Sequence, residues 1–574
     1  MKAQAMPRPE HPLPQFARPT WMNLNGQWQF YRDRAASGKQ RKLYEADSLP
    51  ETITVPFCME SELSGIGDKD FCECVWYRKE IELAEDWLTD SKRVLLHIGA
   101  CDYRTTVYVN GKEIGRPHIG GYVSFTRDIT EALTKGNNVL TICAEDDLRS
   151  GNQPAGKQSL RYASSGCYYT RTTGIWQSVW LESVPASYLS QVRYTTNTEE
   201  SSLHISAVIK NGAGKTMTAT AYWNSKKVGE ASAKTTPTGC ELTLSLSELH
   251  LWEVGKGGLY DLTLTMGDDT VQSYFGMRSL SLNDQCLVIN GKKVFQRLVL
   301  DQGFYPNGIY TAPTEQALID DITRSMACGF NGARLHQKVF EPLFLYHCDR
   351  LGYLVWDELG NWGLDVSRPN AWKGYIPEWI EIMERDINHP AIIGWCPFNE
   401  TSADQDEDLI AYVADLTRKL DPTRPVIETS GYVHVKDTYD ILDCHDYDQN
   451  PETIRQRYIN AANGTPVTDV PLAPEWRFFP RFVSEYGGIQ WDINSGLANS
   501  WGYGNAPKTE EEFIARFKGL SEALLFNPYV TGFCYTQLTD VEQETNGLYT
   551  YNRQTKFDPK HFYDILTQKA AVEE

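Results

Sequence analysis

The sequence predicts a multidomain protein with two β-rich domains, an N-terminal jelly roll and an immunoglobulin-like β-sandwich, followed by a C-terminal TIM (β/α)8 barrel. Three observations support this prediction. The 574 residues are enough for three domains. The first half carries short strand-like segments between turn signals. The second half alternates apolar strand-like segments with helical ones. We place the three domains at residues 1–184, 185–277 and 278–574.

The first two domains are predicted from short strands. Residues 94–98 and 105–109 are β-branched runs, and Asn110-Gly111 is a strong signal for a tight turn. Further runs at 138–143 and 178–183 continue a spacing that favours a jelly roll. Segments 203–209 and 241–246 alternate with period two. They lie in about 90 residues, the size of an immunoglobulin-like sandwich, without the Cys…Trp…Cys core of antibody domains.

The barrel is predicted from eight candidate strands separated by helical segments. The strands are residues 296–301, 331–336, 353–357, 392–398, 425–429, 441–446, 481–486 and 530–536. The helices include residues 314–328, 342–351, 404–420 and 509–526, and Thr314 and Thr509 are candidate N-caps. Eight such units in roughly 300 residues match the size of a TIM barrel.

Composition excludes several classes of function. The net charge of −20 argues against nucleic acid or an anionic membrane as a partner. The 13 cysteines lack zinc-ligand spacing, which favours free thiols, and no glycine-rich dinucleotide fingerprint follows a strand. We therefore expect no metal and no cofactor. Without an apolar leader or a run of about 18 apolar residues, we expect a cytoplasmic protein. The sequence is also compatible with a homo-oligomer.

Polar residues at the ends of the barrel strands mark a candidate active site, because TIM-barrel sites lie at this face. Such residues are Arg334, His336, Asp357, Glu358, Asn399, Glu400, His445, Asp446, Tyr447, Glu485 and Tyr486. Glu400 and Glu485, from strands four and seven, can face each other across the barrel mouth. Hydrolysis of a glycosidic bond needs such a pair, one protonated and one ionised. A separation of about 5–5.5 Å gives retention, and one of about 6.5–9.5 Å gives inversion.

Seven segments carry a family resemblance. They are NLNGQW at 23–28, TVPF at 54–57, YVNGK at 108–112, GIWQSVW at 174–180, NGARLH at 331–336, PFNETS at 397–402 and VSEYG at 483–487. In this order they resemble glycoside hydrolase family 2 over nearly the whole chain. The resemblance implies the same three-domain architecture and a retaining exo-β-glycosidase whose substrate is an oligosaccharide or glycoconjugate.

The resemblance also implies roles for individual residues. Glu400 resembles the family's general acid/base and Glu485 its nucleophile. Asn399 would bind the 2-hydroxyl of the sugar, and Arg334 would keep the nucleophile ionised. Three more residues would line the sugar pocket, namely His336, Tyr486 and Tyr447. The loop at 145–154 resembles one that reaches the barrel mouth, where Asp147 or Asp146 would contact distal hydroxyls and make the enzyme exo-acting.

The sugar is predicted from two departures from the family pattern. Glucuronidases of the family carry Asn-x-Lys after the nucleophile, whereas residues 544–548 read ETNGL, with Leu548 in place of the lysine. The eighth strand ends CYTQL at 534–538, where many relatives carry Trp. The sequence therefore favours a neutral β-galactoside. A β-glucuronide or β-galacturonide and an α-L-arabinopyranoside are the alternatives. A non-catalytic carbohydrate-binding protein is the alternative from another class.

Overall fold

The N-terminal domain is a two-sheet β-sandwich. The computed structural model describes residues 5–283, 286–465, 480–493 and 499–574. Strands β1–β13 are Trp21–Asn23, Gly26–Arg32, Glu51–Val55, Cys74–Glu82, Lys92–Ile98, Cys101–Asp102, Arg104–Val109, Lys112–Glu113, His118–Ile119, Phe125–Asp128, Asn137–Glu145, Gly174–Ile175 and Val179–Pro185. One sheet has the order β1-β13-β5-β10 and the other β3-β2-β4-β11-β7-β8, with β9 on β7. Side chains such as Tyr77, Leu96 and Ile142 fill the space between the sheets. The predicted Asn110-Gly111 turn joins β7 to β8, with φ of 50° and 78°.

The second domain has the predicted immunoglobulin-like sandwich. Strands β14–β20 are Tyr188–Asn197, Ser202–Lys210, Thr216–Trp223, Lys226–Lys234, Cys240–Ser245, Tyr260–Met266 and Asp269–Phe275. Sheets β14-β15-β18 and β17-β16-β19-β20 pack around a core that includes Leu203, Ile205, Leu262 and Leu264. The period-two alternation in the sequence puts these side chains on the inner faces.

A short antiparallel sheet and a parallel barrel form the third domain. Strands β21–β23 are Leu280–Leu282, Leu287–Ile289 and Lys292–Val294. Strands β24–β32 are Gln296–Asp301, Gly332–Leu335, Leu354–Glu358, Ile392–Cys396, Phe398–Asn399, Thr429–Ser430, Leu442–Asp446, Arg481–Gly487 and Gly532–Thr536. Seven of them form a parallel sheet in the order β27-β26-β25-β24-β32-β31-β30, and the short pair β28-β29 lies between its two edge strands along the chain.

The helices and one strand differ in detail from the prediction. Helices α1–α7 are Glu315–Ala327, Pro342–Leu351, Ala371–Asp386, Glu407–Leu420, Pro451–Ala462, Glu510–Leu525 and Pro559–Leu566. The Thr314 and Thr509 side chains accept hydrogen bonds from the first turns of α1 and α6, as predicted for N-caps. The predicted fifth strand is shorter than expected. Pro425 has no N–H to donate, and Val426 donates instead to the Asp440 side chain.

The jelly-roll domain docks directly on the barrel. The backbone N–H groups of Gly121 and Tyr122 donate to the Glu378 carboxylate of α3 at 2.7 and 2.9 Å.

All 13 cysteines carry free thiols, and only Cys167 is not fully buried. No helix in the described ranges is long and apolar enough to span a bilayer.

Candidate active site

The two carboxylates predicted from the sequence meet at the C-terminal ends of the barrel strands. Glu400 follows β28, and its N–H donates to the carbonyl of Ser430 at 2.7 Å. Its φ of 45° is uncommon for a residue other than glycine and is typical of functional sites. Glu485 lies in β31 beside His445 of β30. One ligand atom from each of Glu400, His445 and Glu485 lies within 4.8 Å of the others. Such close oxygens favour the short separation of a retaining pair over the roughly 6.5–9.5 Å of an inverting one.

Hydrogen-bond donors surround Glu485. Arg334 donates to its Oε1 at 2.9 Å, and the Tyr447 hydroxyl donates to its Oε2. The Nε2 atoms of His336 and His445 lie 3.3 and 3.4 Å from the same Oε1. Both oxygens of this buried carboxylate are therefore held in place.

The same neighbours keep Glu485 ionised. Burial alone would raise the pKa of Glu485, but His445, His336 and Arg334 beside it hold that pKa well below its usual range. Burial and the nearby Lys157 lower the pKa of His336 to about 3, so this imidazole is neutral. An ionised, oriented carboxylate is what attack on an anomeric carbon requires.

Glu400 shares a hydrogen bond with a buried imidazole. Its Oε1 lies 2.6 Å from Nδ1 of His445, and its side chain is 22% exposed, so a substrate can reach it. Burial would lower the pKa of His445, but Glu485 and Glu400 raise it overall. The His445–Glu400 contact can therefore hold one shared proton close to the catalytic centre. A Cβ at Gly431 would lie 3.0 Å from the His445 ring, so a glycine is needed for this close approach.

We expect His445→Asn to lower kcat/KM about 10- to 100-fold and to move its alkaline limb to lower pH. The raised pKa of His445 keeps the shared proton bound as the pH rises, until the pH passes that raised value. Without the imidazole, the proton is lost at a lower pH. The measurement is kcat/KM for a nitrophenyl glycoside against pH, with the melting temperature as a control for folding. An alkaline limb that stays in place would contradict the shared proton.

The side-chain amide of Asn399 is held at its oxygen by a hydrogen bond. Its Oδ1 accepts from Arg334 at 2.5 Å, and its backbone N–H donates to Asn361 at 2.8 Å. Its buried Nδ2 has no hydrogen-bond partner among the described residues. A buried donor of this kind is expected to find a partner in a ligand. This placement agrees with the expected contact to a sugar hydroxyl.

Tyr447 lies beside Glu485. Its hydroxyl contacts Glu485 and lies 3.0 Å from the Thr536 hydroxyl, and its ring stacks on Tyr503 at 3.5 Å. Burial, with Glu485 nearby, raises the pKa of Tyr447 well above its usual range, so the phenol remains a donor. The structure thus brings Tyr447 into the site as an orienting donor to Glu485.

Tyr486 does not line the pocket as the sequence analysis expected. Its ring packs against Phe533, and its hydroxyl lies 2.8 Å from that of Ser521 in α6. Successive side chains of a strand point to opposite faces, so a Glu485 that faces the barrel interior directs Tyr486 outward. The pocket-lining role expected of Tyr486 is therefore incorrect.

The predicted loop reaches the barrel, but not through Asp147. The Asp147 side chain is exposed, and its carbonyl accepts from Ser150. Among the described residues, that side chain contacts none of the groups around Glu485. The neighbouring Asp146 is buried and accepts from Gln153 at 2.7 Å. The loop contacts the barrel at Gly151, whose carbonyl accepts from the N–H of Asp365 at 2.9 Å, and just beyond the loop the N–H of Ala155 donates to the carbonyl of Trp362 at 2.7 Å. The role predicted for Asp147 thus receives no support from its position.

Three residues of the site were not predicted from the sequence: Tyr432, Trp362 and Lys157. His445 was predicted as a candidate because it ends a strand, but no role was assigned to it. Tyr432 is 41% exposed and lies edge-on to His445 at 5.3 Å. Trp362 donates to the carbonyl of Asn399 at 3.2 Å, and Lys157 lies over its ring. No motif marked Tyr432, Trp362 or Lys157.

The atoms of Glu400, His445 and Glu485 are also close enough to be bridged by a metal ion. Their hydrogen bonds give them another role, because Arg334 and Tyr447 donate to the oxygens of Glu485. Two carboxylates suffice for glycoside hydrolysis without a metal. The expectation of no metal and no cofactor stays a prediction.

Family models match three successive parts of the chain. They are described as "Glycosyl hydrolase 2 galactose-binding domain-like" at residues 49–177, "Glycosyl hydrolases family 2" at residues 187–278 and "Glycosyl hydrolases family 2, TIM barrel domain" at residues 280–465. Their order is the order of the three domains in the structure.

The similar proteins and structures described next are named β-glucuronidases. A "Putative beta-glucuronidase" of Formosa agariphila is 26% identical over 63% of this chain, and the match spans 46% of that protein. The "Beta-glucuronidase" of Streptococcus agalactiae is 23% identical over 96% of this chain and 97% of its own length. Among solved structures, a Lactobacillus rhamnosus β-glucuronidase has a TM-score of 0.81 at 19% identity, covering 98% of this chain and 100% of that one. At that identity the likeness shows the fold alone.

The domain order, the facing carboxylates and the matched family models agree with one another. The sequence-based resemblance is thereby confirmed, together with the predicted fold class. The retained dyad, with Arg334 and Asn399 in place, also argues against a non-catalytic binding protein. The chain belongs to glycoside hydrolase family 2 and is a glycoside hydrolase.

Proposed function

We propose that this enzyme is a retaining exo-β-glycosidase that removes terminal β-linked hexuronic acids, with β-D-glucuronides as the preferred substrates. The observation that carries the mechanism is the placement of Glu400 and Glu485, whose oxygens lie within 4.8 Å of each other. Support for the uronide comes from the similar proteins, which are named β-glucuronidases. The sequence-based preference for a galactoside gives way to this alternative.

The reaction proceeds by double displacement. The ionised Glu485 attacks the anomeric carbon while Glu400 protonates the departing oxygen, which gives a covalent glycosyl-enzyme. Glu400 then takes a proton from water, and the resulting hydroxide releases the sugar with its original configuration. The Nδ2 group of Asn399 is placed to donate to a sugar hydroxyl, a contact that strengthens in the transition state.

Hydrolysis of a neutral β-galactoside is the second candidate. Leu548 is buried and offers no charge to a carboxylate. The Asn546 amide donates to Glu544 at 3.0 Å and accepts from Gln537 at 2.8 Å, so it is engaged within the protein. Neither residue supplies the positive charge that the family's usual lysine would provide at this position.

A panel of nitrophenyl glycosides distinguishes these candidates. It contains the β-D-glucuronide, β-D-galacturonide, β-D-galactoside, β-D-mannoside and α-L-arabinopyranoside. We expect kcat/KM for the β-glucuronide to exceed that for the β-galactoside by about 10²-fold or more, since a site built for a polar group rejects analogues that lack it. A preference for the galactoside or arabinoside would contradict the proposed specificity and leave the retaining mechanism intact.

A further inference from the structure

A loop of the jelly-roll domain places a lysine in the barrel mouth. The N–H of Gly156 donates to the carbonyls of Gly360 and Trp362 at 3.2 and 3.0 Å, and the carbonyl of Lys157 accepts from Tyr169 at 2.7 Å. Gly156 has a φ of 58°, and a Cβ there would lie 2.2 Å from the carbonyl oxygen of Gln337. Only glycine permits this approach, so the backbone that carries Lys157 is fixed against the barrel.

The side chain of Lys157 is buried and has no ionic partner among the described residues. It is only 5% exposed, and its Nζ lies 4.4 Å from the centre of the Trp362 ring. Within the described ranges, this ammonium forms no hydrogen bond and no ion pair. Buried ammonium groups are costly unless paired, and one face of an aromatic ring replaces only part of the lost hydration. The site is therefore built to receive an acceptor from outside the protein.

Lys157 is charged and close to the catalytic groups. Burial would lower the pKa of Lys157, but acidic groups around it, with Cys167, Glu544 and Glu485 foremost, raise that pKa overall. The same charge helps to lower the pKa of His336. The Trp362 ring beneath Lys157 lies 6.5 Å from the ring of His336, and Trp362 donates to the carbonyl of Asn399 at 3.2 Å, so the lysine lies beside the residues around Glu485.

The other charged groups nearby are already engaged. Arg334 donates to Glu358 at 2.7 Å, as well as to Glu485 and Asn399. The oxygens of Glu544 accept from Tyr169 and Asn546. Burial raises the pKa of Glu544, which weakens its charge as a competitor for Lys157. Lys157 is thus available to a negatively charged group of a ligand.

We infer that Lys157 binds the carboxylate of the hexuronic acid and so determines the preference for acidic sugars. This inference rests on the proposed uronidase function. It assigns to a jelly-roll residue the charge that Leu548 of the barrel does not supply. A lysine offers three N–H donors and a full charge to a carboxylate, and the apolar Trp362 surface strengthens that attraction by limiting water.

The test compares acidic and neutral substrates of the same ring stereochemistry in three variants. Lys157→Met removes the charge, and Lys157→Arg retains it. Arg161→Met removes one charge from an exposed position of the same loop. We measure kcat/KM for nitrophenyl β-D-glucuronide and β-D-glucoside, and Kd for D-glucuronate and D-glucose by calorimetry.

For Lys157→Met we expect kcat/KM on the glucuronide to decrease about 10²-fold or more and on the glucoside less than about 5-fold. D-glucuronate binding should weaken to a similar degree, while Lys157→Arg retains part of the preference and Arg161→Met all of it. An equal loss on both substrates, or no loss, would overturn the inference while the wild-type uronidase activity stands. A wild-type enzyme that cleaves neutral glycosides and no uronide would refute the proposed function itself, and the inference with it. Unchanged circular dichroism excludes misfolding as the cause.

Discussion

Glu485→Ala is expected to lower kcat for a nitrophenyl glycoside by about 10⁴-fold or more, which corresponds to about 5 kcal/mol of transition-state stabilisation. The variant loses the carboxylate that the proposed mechanism uses to form the glycosyl-enzyme. The remaining donors, Arg334 and Tyr447, then face a space without a carboxylate. The measurement is the initial rate at saturating substrate.

Two controls connect this loss to nucleophilic catalysis. Azide added to Glu485→Ala should restore turnover and give a glycosyl azide of inverted configuration, because the small anion enters from the side of the missing carboxylate. Glu407→Ala, which removes an exposed carboxylate at the start of α4, should keep full activity. A Glu485→Ala enzyme that retained wild-type turnover would refute the nucleophile assignment.

Much of this site could be predicted because local sequence determines where a parallel strand ends. Arg334, Asn399, Glu400 and Glu485 all follow or end apolar strand segments, and the barrel brings those ends to one face. The distance between Glu400 and Glu485 depends on barrel closure and strand register, and a linear sequence does not specify either. The pair was therefore predictable, whereas the closeness of its oxygens required the structure.

The errors and omissions have different physical causes. Tyr486 was assigned by proximity to Glu485, although the period-two geometry of β31 directs neighbouring side chains to opposite faces. Lys157 was not identified because its role depends on a contact between the jelly-roll domain and Trp362, far apart in sequence. Long loops that complete a site from another domain carry no periodic signal. The predicted loop does reach the barrel, whereas the sugar contact expected of Asp147 receives no support from its exposed position.

Glu400→Ala is expected to have an effect that depends on the leaving group. Because Glu400 protonates the departing oxygen in the proposed mechanism, loss of its side chain should lower kcat/KM by about 10³- to 10⁴-fold for a poorly activated phenyl glycoside. A dinitrophenyl glycoside, whose phenolate leaves without protonation, should lose less than about 10-fold in kcat/KM.

Hydrolysis of the glycosyl-enzyme, the second step of the reaction, tests the role of Glu400 separately. Without a base to activate water, the glycosyl-enzyme on Glu485 should accumulate and give a burst of nitrophenol with the activated substrate. Azide should then accelerate turnover and yield a glycosyl azide of retained configuration, opposite to the product from Glu485→Ala. The contrast between the two azide products separates the carboxylates by role, which a simple loss of activity does not. Equal losses on both leaving groups, or an inverted azide from Glu400→Ala, would mean that the roles of Glu400 and Glu485 have been assigned incorrectly.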